Sequence, residues 1–332
     1  MVVSNNIKVK SVSLSISRVV ATLGIVICHI ISYYTIIPGH DILGHFFNVG
    51  VPMFIIISGF LYGKKAILGG GILRFYVKRL IKVSLPVWIF AVVILLVLGP
   101  SELWHTMIAI LNLQGLNSLI VAGDNFNAGP NLSHTWFVTI ILLCYLILPA
   151  LETAIDKIKP IHIFFMWLAV LILPYVGVSL QFIALFITSY YLSFNQALKR
   201  YNYWSLMTCA CFAVLLRLVG HRCFDETVLY NDIIVIVSHC ILAASIMLFI
   251  REWSLRHTKA SMTLIEIRAF KFLEKYSFYI YIVHYCLIIP VFCKFGIIVA
   301  SLLFIFITLV LSYALGIVHM WSENRLNQLF FR

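Results

Sequence analysis

The feature that most constrains this chain is its succession of apolar runs, each about as long as a bilayer core is thick. A transmembrane helix needs about 20 mostly apolar residues, and the sequence contains about ten such runs. They lie at residues 16–37, 45–63, 83–99, 135–151, 161–176, 180–197, 203–220, 231–250, 276–293 and 296–320. Because lipid offers no hydrogen-bond partners, backbone that crosses it folds as helix. The sequence therefore predicts an all-α polytopic membrane protein with about ten transmembrane helices.

Composition supports the same fold class. Hydrophobic residues make up 62% of the 332 residues and charged residues only 11%, whereas a soluble domain is about half apolar and a quarter charged. The apolar runs leave no long polar stretch at either end. We therefore expect a single integral membrane domain over residues 1–332 with no separate soluble domain.

The formal charge of +12 follows from where the basic residues lie. If the N-terminus is cytoplasmic, every Lys and Arg except Arg18, Arg217, Arg222 and Lys294 falls in a cytoplasmic segment. This bias is the positive-inside rule, and it predicts that both termini are cytoplasmic. Attraction to anionic lipid of the inner leaflet explains the basic balance, so membrane lipid is an expected partner and nucleic acid is not.

The first span carries two residues that lipid makes costly. Arg18 and His29 are 11 residues apart, so on a helix they share a face within about 20° and lie about 16 Å apart along the axis. Ionisable groups at this depth usually have a function or a partner. A neutral imidazole can take a proton from an attacking hydroxyl or carry a group itself. The alternative is structural: His29 bonds between helices and Arg18 snorkels to the headgroups.

The segment after the second span is basic. Arg74, Lys78 and Lys82 form one stripe on a helix, and Arg79 lies beside it. Such a cluster at the inner surface can clamp phosphates, or it can simply anchor the topology. The eight cysteines are scattered without a CxxC pair, so we expect no metal site.

Three further polar features have both a structural and a functional interpretation. Ser58 and Gly59 inside the second span permit close helix packing. Trp136 lies at the start of a span, where aromatic residues are common because they favour the membrane–water interface. Ser277, Tyr281 and His284 make one polar stripe, which is either a hydrogen-bond seam between helices or the lining of a cavity.

Taken in order, these pieces resemble the acyltransferase-3 family of bacterial integral membrane acyltransferases, from about Ser15 to about Trp321. The family pattern has an Arg followed about ten residues later by a His, then Phe-x-x-x-Ser-Gly-Phe-Leu, then a basic run before a Pro and an aromatic residue. A Trp-Phe span entry and a late Ser-Tyr-x-x-Tyr-x-x-His run follow. The matching residues here are Arg18 and His29, Phe54 to Leu61, Lys78 to Trp88, Trp136 and Phe137 with Tyr145 and Pro149, and Ser277 to His284. This chain departs from the pattern by having Lys at positions 78 and 82, Phe at 278 and one extra residue before Pro86.

The resemblance implies a function. Family members move an acyl group from cytoplasmic acyl-CoA to a hydroxyl of an extracytoplasmic or lipid-linked glycan. The expected donor is acetyl-CoA, used as a substrate with no permanently bound cofactor. The expected acceptor is a cell-surface or undecaprenyl-linked glycan such as lipopolysaccharide O-antigen, and the expected location is the bacterial inner (plasma) membrane.

The resemblance also implies site residues. His29 would be catalytic, as general base or transient acyl carrier, together with Arg18. Donor phosphates would meet a basic group, and further residues would line the site. The basic group is Arg74, Lys78, Arg79 and Lys82, and the lining residues are Ser58, Trp136, Tyr281 and His284.

Two other functional classes remain as alternatives. A transporter or flippase for a lipid-linked sugar needs a polar or cationic lumen over several spans, for which Arg217 and His239 are the additional candidates. A structural or sensor membrane protein makes no use of the stripe that Arg18 and His29 share.

Overall fold

The computed structural model describes residues 2–33, 44, 46–63, 70–120, 126–197, 200–224, 227, 229–292 and 297–331. Over these residues the regular structure is helical, apart from an isolated antiparallel bridge between Ile120 and Val178. The predicted all-α class is confirmed.

The helices follow the apolar runs in chain order. The first part of the chain forms α1 Val2–Tyr33, α2 Gly50–Tyr62, α3 Ile72–Arg79, α4 Leu85–Leu98, α5 Leu103–Ile110, α6 Gly129–Leu132 and α7 Trp136–Ala154. The second part forms α8 Pro160–Ile172, α9 Gln181–Phe194, α10 Tyr203–Phe224, α11 Val235–Arg256, α12 Thr258–Glu266, α13 Arg268–Val283, α14 Tyr285–Phe292 and α15 Ile297–Phe330.

Helix length and hydropathy support a polytopic membrane protein. Among the described residues, six helical segments are long and apolar enough to cross a bilayer: Val12–Ser32, Ile72–Leu98, Gly129–Lys157, Tyr203–Phe224, Val235–Arg256 and Val299–Phe330. Three shorter apolar helical segments are Gly50–Tyr62, Pro160–Val176 and Gln181–Phe194. The count of ten spans and the cytoplasmic location of both termini stay predictions.

The predicted ninth span, residues 276–293, is not one uninterrupted helix. It breaks at His284, between α13 and α14. The His284 ring Nδ1 lies 2.8 Å from the Tyr281 carbonyl oxygen and 3.1 Å from that of Ile280. An uninterrupted helix needs the Tyr281 carbonyl for the backbone N–H of Tyr285. The imidazole bonds to this same acceptor at the point where the helix is interrupted.

Contacts within the chain define two compact units, which interleave in sequence. The first unit comprises Met1–Lys65, Pro160–Val176 and Leu180–Ser277, and the second comprises Ala66–Lys159, Gly177–Ser179 and Phe278–Arg332. In the first unit α2 packs against α1, α9 and α11. In the second unit α4 packs against α5 and α15, and α3 packs against α7.

Small residues let α2 approach its neighbours closely in the first unit. A Cβ added at Gly59 would lie 2.5 Å from the Phe186 carbonyl oxygen, and one at Gly63 would lie 2.6 Å from that of Tyr190. The Ser193 hydroxyl donates to the Phe60 carbonyl across the same pair of helices at 2.7 Å. The packing interpretation of the Ser58-Gly59 pair therefore holds for Gly59.

A π-helical segment, Leu80–Ser84, joins α3 to α4 in the second unit. The backbone N–H of Leu85 bonds to the Leu80 carbonyl, the i to i−5 pattern of a π turn. Pro86 follows and has no N–H to continue this pattern to the Ile81 carbonyl. His319 of α15 takes that place, since its Nε2 lies 2.8 Å from the Ile81 oxygen. A π turn accommodates an extra residue, which is how the chain absorbs the one inserted before Pro86.

Candidate active site

Arg18 lies on α1 and meets a carboxylate of the same unit. Its Nη1 is 3.9 Å from Glu274 Oε1, and the two side chains are 36% and 29% exposed. The Thr22 hydroxyl donates to the Arg18 carbonyl at 3.0 Å. A partly exposed pair at this distance adds little stability. The pair places Glu274 of α13 beside Arg18 of α1.

His29 is half-buried on α1, about 16 Å along the axis from Arg18. Cys28 before it is buried, and Ser58 of α2 is half-buried in the same unit. The imidazole is thus neither fully exposed nor fully buried. In these surroundings a neutral ring can accept a proton from a hydroxyl.

A second polar pair belongs to the first unit, and its arginine acts electrostatically on the Cys28 thiol. Arg217 of α10 is 2% exposed, and its Nη1 lies 3.0 Å from Nε2 of His239 on α11. A guanidinium can only donate, so His239 accepts through Nε2 and carries its proton on Nδ1. The guanidinium carbon is 5.9 Å from the Phe46 ring centroid. The sequence identified both residues only as candidates for a transport lumen.

Three of the four predicted phosphate-binding residues line one cavity in the second unit. Its volume is about 270 Å³, and Arg74, Lys78 and Lys82 form one wall. The other wall comes from the C-terminal part of the chain and consists of Glu323, Asn327 and Phe331. The α-helical spacing of the basic stripe predicted this grouping of three cations.

Arg79 does not line this cavity. Its guanidinium carbon lies 5.6 Å from the Phe75 ring centroid and 5.8 Å from that of Tyr145 on α7. One residue along a helix turns the side chain by about 100°. The structure therefore separates Arg79 from Arg74, Lys78 and Lys82.

Tyr281 and His284 belong to a buried aromatic and imidazole cluster in the second unit. They are 3% and 0% exposed, and His134 is 4% exposed. The Tyr281 hydroxyl donates to the His134 carbonyl. The rings of His134 and His284 are 5.4 Å apart, and that of Tyr285 stacks on His134 at 4.9 Å. This arrangement fits the hydrogen-bond seam better than a cavity lining.

His134 lies in the short turn just before α7, and Trp136 is the first residue of α7. His134 Nε2 lies 2.9 Å from the Ile282 carbonyl oxygen, so that nitrogen carries the proton. Trp136 is half-buried, and its carbonyl oxygen would lie 2.3 Å from a Cβ added at Gly115. Sequence reasoning missed His134 as a cluster member, although its position just before a span was visible.

The predicted site residues thus divide between the two units. Arg18, His29 and Ser58 belong to the first unit. The second unit holds the other seven, which are Arg74, Lys78, Arg79, Lys82, Trp136, Tyr281 and His284. Within the described part of the chain no three His, Cys, Asp or Glu side chains are placed to hold a metal ion.

Comparison with known proteins identifies the family. A family model described as an acyltransferase domain, of the acyltransferase-3 type, matches residues 12–321. A search of curated proteins and a search of solved structures each found no match. The family match takes in nearly the whole chain, including Arg18, His29 and the basic stripe. The chain therefore belongs to the acyltransferase-3 family and is a multi-pass membrane acyltransferase.

Proposed function

We propose that this protein is an O-acetyltransferase of the bacterial inner membrane. It moves an acetyl group from cytoplasmic acetyl-CoA to a hydroxyl of an extracytoplasmic or undecaprenyl-linked polysaccharide such as lipopolysaccharide O-antigen. The observation that carries the proposal is His29, half-buried on the helical face that it shares with Arg18, within the region that matches the family. The family assignment favours acyl transfer over the transporter and the structural or sensor interpretations.

His29 supplies the chemistry in either of two ways. As a general base, the neutral imidazole takes the proton of the acceptor hydroxyl while its oxygen attacks the thioester carbonyl and the CoA thiolate leaves. As an acyl carrier, the imidazole itself attacks the thioester and passes the acetyl group to the hydroxyl in a second step. A site within the membrane would exclude the water that hydrolyses a reactive acyl group. Arg18, paired with Glu274 about 16 Å along α1 from His29, is proposed to order the site from its inner side.

Phosphate recognition falls to the basic residues of the second unit. Arg74, Lys78 and Lys82 place three cations around one cavity, and phosphate groups are the anions for which such clusters are suited. Only Arg74 offers the bidentate fork, since Lys binds phosphate as a point charge. Arg79, against the Tyr145 ring, has a separate role in ordering the α3–α7 packing.

The remaining predicted residues support the site from within their own units. Ser58 is half-buried one residue before the tightly packed Gly59 and is proposed to line the site. Tyr281 and His284, buried and bonded to main-chain carbonyls, are proposed as positioning residues. Trp136, the first residue of α7, is also proposed to line the site.

The test is the acetylation of surface glycan in cells. We expect glycan from cells with the wild-type protein to carry an acetyl group on a hexose. Glycan from cells without the protein should lack this acetyl group. His29→Ala should abolish this signal in mass and NMR spectra while the protein still inserts. His162→Ala, at an exposed histidine of α8, is the matched control and should keep it. Wild-type acetylation by the His29→Ala variant would refute the proposed mechanism.

A further inference from the structure

The basic cavity of the second unit has a wall that the family match does not include. Glu323, Asn327 and Phe331 recur every four residues at the end of the chain, whereas the family match ends at residue 321. On a helix this spacing forms one stripe. The stripe faces the basic one made by Arg74 and the two lysines.

Specific contacts fix the register of the two stripes. His319, 4% exposed, bonds through Nε2 to the Ile81 carbonyl of the π segment, and the Tyr279 hydroxyl lies 2.7 Å from its Nδ1. Because Nε2 must donate to a carbonyl, Nδ1 accepts from the tyrosine, and the ring is held on both sides. One turn further along α15, Glu323 Oε1 lies 3.8 Å from Lys82 Nζ.

The far end of the wall is held by an aromatic ring. The Arg74 guanidinium carbon and the Lys78 Nζ each lie 5.2 Å from the Phe331 ring centroid. Both are within the range of a cation–π contact. Phe331 therefore gathers two cations that would otherwise repel each other, and it keeps them at the cavity.

The charges of the cavity identify the class of ligand. Three cations face one carboxylate, so its lining carries a formal charge of +3 − 1 = +2. The Lys82 side chain is 53% exposed and that of Glu323 is 21% exposed, so solvent reaches this ion pair. Lys82 can therefore leave Glu323 for another anion at little cost. A ligand with phosphate groups satisfies such a cavity, and its approach to Lys82 brings it against the Glu323 carboxylate.

We propose that the stripe of Glu323, Asn327 and Phe331 forms the second wall of the phosphate site and controls how strongly phosphate groups bind there. Glu323 competes with the ligand's phosphates for Lys82, and Phe331 holds the cations in place. This inference rests on the proposed use of acyl-CoA as donor. Within the wall, Glu323 sets how strongly phosphate groups bind, and Asn327 adds an uncharged amide donor between the two ends.

The test is a charge series measured by calorimetric titration of the full-length protein in detergent with CoA. Glu323→Gln should tighten binding about two- to fivefold, the range expected when an exposed pair is the competitor. Asn327→Asp adds a second carboxylate and should weaken binding, and Phe331→Ala should weaken it about threefold through loss of the cation–π contacts. Glu102→Gln, which removes a carboxylate paired with His105 in the same unit, is the matched control and should leave binding unchanged.

Two comparisons separate this inference from the proposed function. Pyrophosphate should displace CoA, and rising salt should weaken binding in the wild type. If CoA binds and the Glu323→Gln variant binds it more tightly while no acetyl reaches glycan, the wall is supported and the O-acetyltransferase proposal fails. If acetyl transfer proceeds while Glu323→Gln and Asn327→Asp bind CoA as the wild type does, the wall is refuted and the function stands. Absence of CoA binding by the wild type also refutes the wall.

Discussion

Replacing Arg251 with glutamine removes the closer of two guanidinium groups that hold a fully buried carboxylate in the first unit. Glu252 is 0% exposed; its Oε1 lies 2.6 Å from Arg251 Nη1, and its Oε2 lies 3.6 Å from Arg200 Nη1. The Arg251 side chain is 14% exposed, whereas that of Arg200 is 63% exposed. Replacing each arginine in turn therefore compares a largely buried and a largely exposed partner of the same carboxylate.

The expected losses of stability differ severalfold. Breaking a buried ion pair by removing one partner costs about 3–5 kcal/mol, because the other charge stays buried. An exposed partner at a longer distance contributes about 0.2–1 kcal/mol. At about 2–4 °C per kcal/mol, Arg251→Gln should lower the Tm by about 6 °C or more and Arg200→Gln by about 4 °C at most.

Thermal unfolding in detergent, followed by tryptophan fluorescence, measures both Tm values. Neutralising the carboxylate as well, in an Arg251→Gln, Glu252→Gln double variant, should restore part of the loss, because no charge is then left buried. Equal Tm changes for the two arginine variants, or a double variant less stable than Arg251→Gln, would show that Arg251 does not stabilise the buried Glu252 carboxylate more than Arg200 does.

Two further predictions concern packing and the buried cluster. Gly59→Ala places a Cβ 2.5 Å from the Phe186 carbonyl oxygen and should lower the free energy of unfolding by about 1–3 kcal/mol. The control Gly70→Ala has open space around the new Cβ and should change that free energy by less than about 0.5 kcal/mol. Equal Tm values for the two variants would contradict the close approach of α2 and α9. Tyr281→Phe removes the hydroxyl that donates to the buried His134 carbonyl and should cost about 1–3 kcal/mol, and an unchanged Tm would show that this bond does not stabilise the cluster.

The fold class was readable from the sequence because lipid leaves the backbone few choices. Runs of about 20 apolar residues must be helical wherever they cross the bilayer. The interruption at His284 was not readable, because the ring bonds to a main-chain carbonyl in a local conformation that apolar periodicity does not encode. The π turn at Leu80–Ser84 left a trace in the extra residue before Pro86, but its cause lies in the distant His319.

The candidate site was predictable to the extent that its residues share one helix. The spacing of Arg74, Lys78 and Lys82 predicts their common cavity, since it depends on helical geometry alone. The residues across the cavity belong to a distant part of the chain. Neither Glu323 nor Phe331 stands in a sequence pattern that indicates a binding role. Similarly, the sequence predicts the stripe that Arg18 shares with His29. It does not predict the partner Glu274, which tertiary packing brings to Arg18.

Vesicles reconstituted with the purified protein provide a direct test of acyl transfer across the membrane. Radiolabelled acetyl-CoA is supplied on one side of the membrane, and a polysaccharide acceptor is enclosed on the other. We expect label on the enclosed acceptor with the wild type and with His162→Ala, and none with His29→Ala. Equal labelling by His29→Ala, or labelling only of acceptor on the donor's side, would contradict an acyl transfer that depends on this imidazole and crosses the membrane.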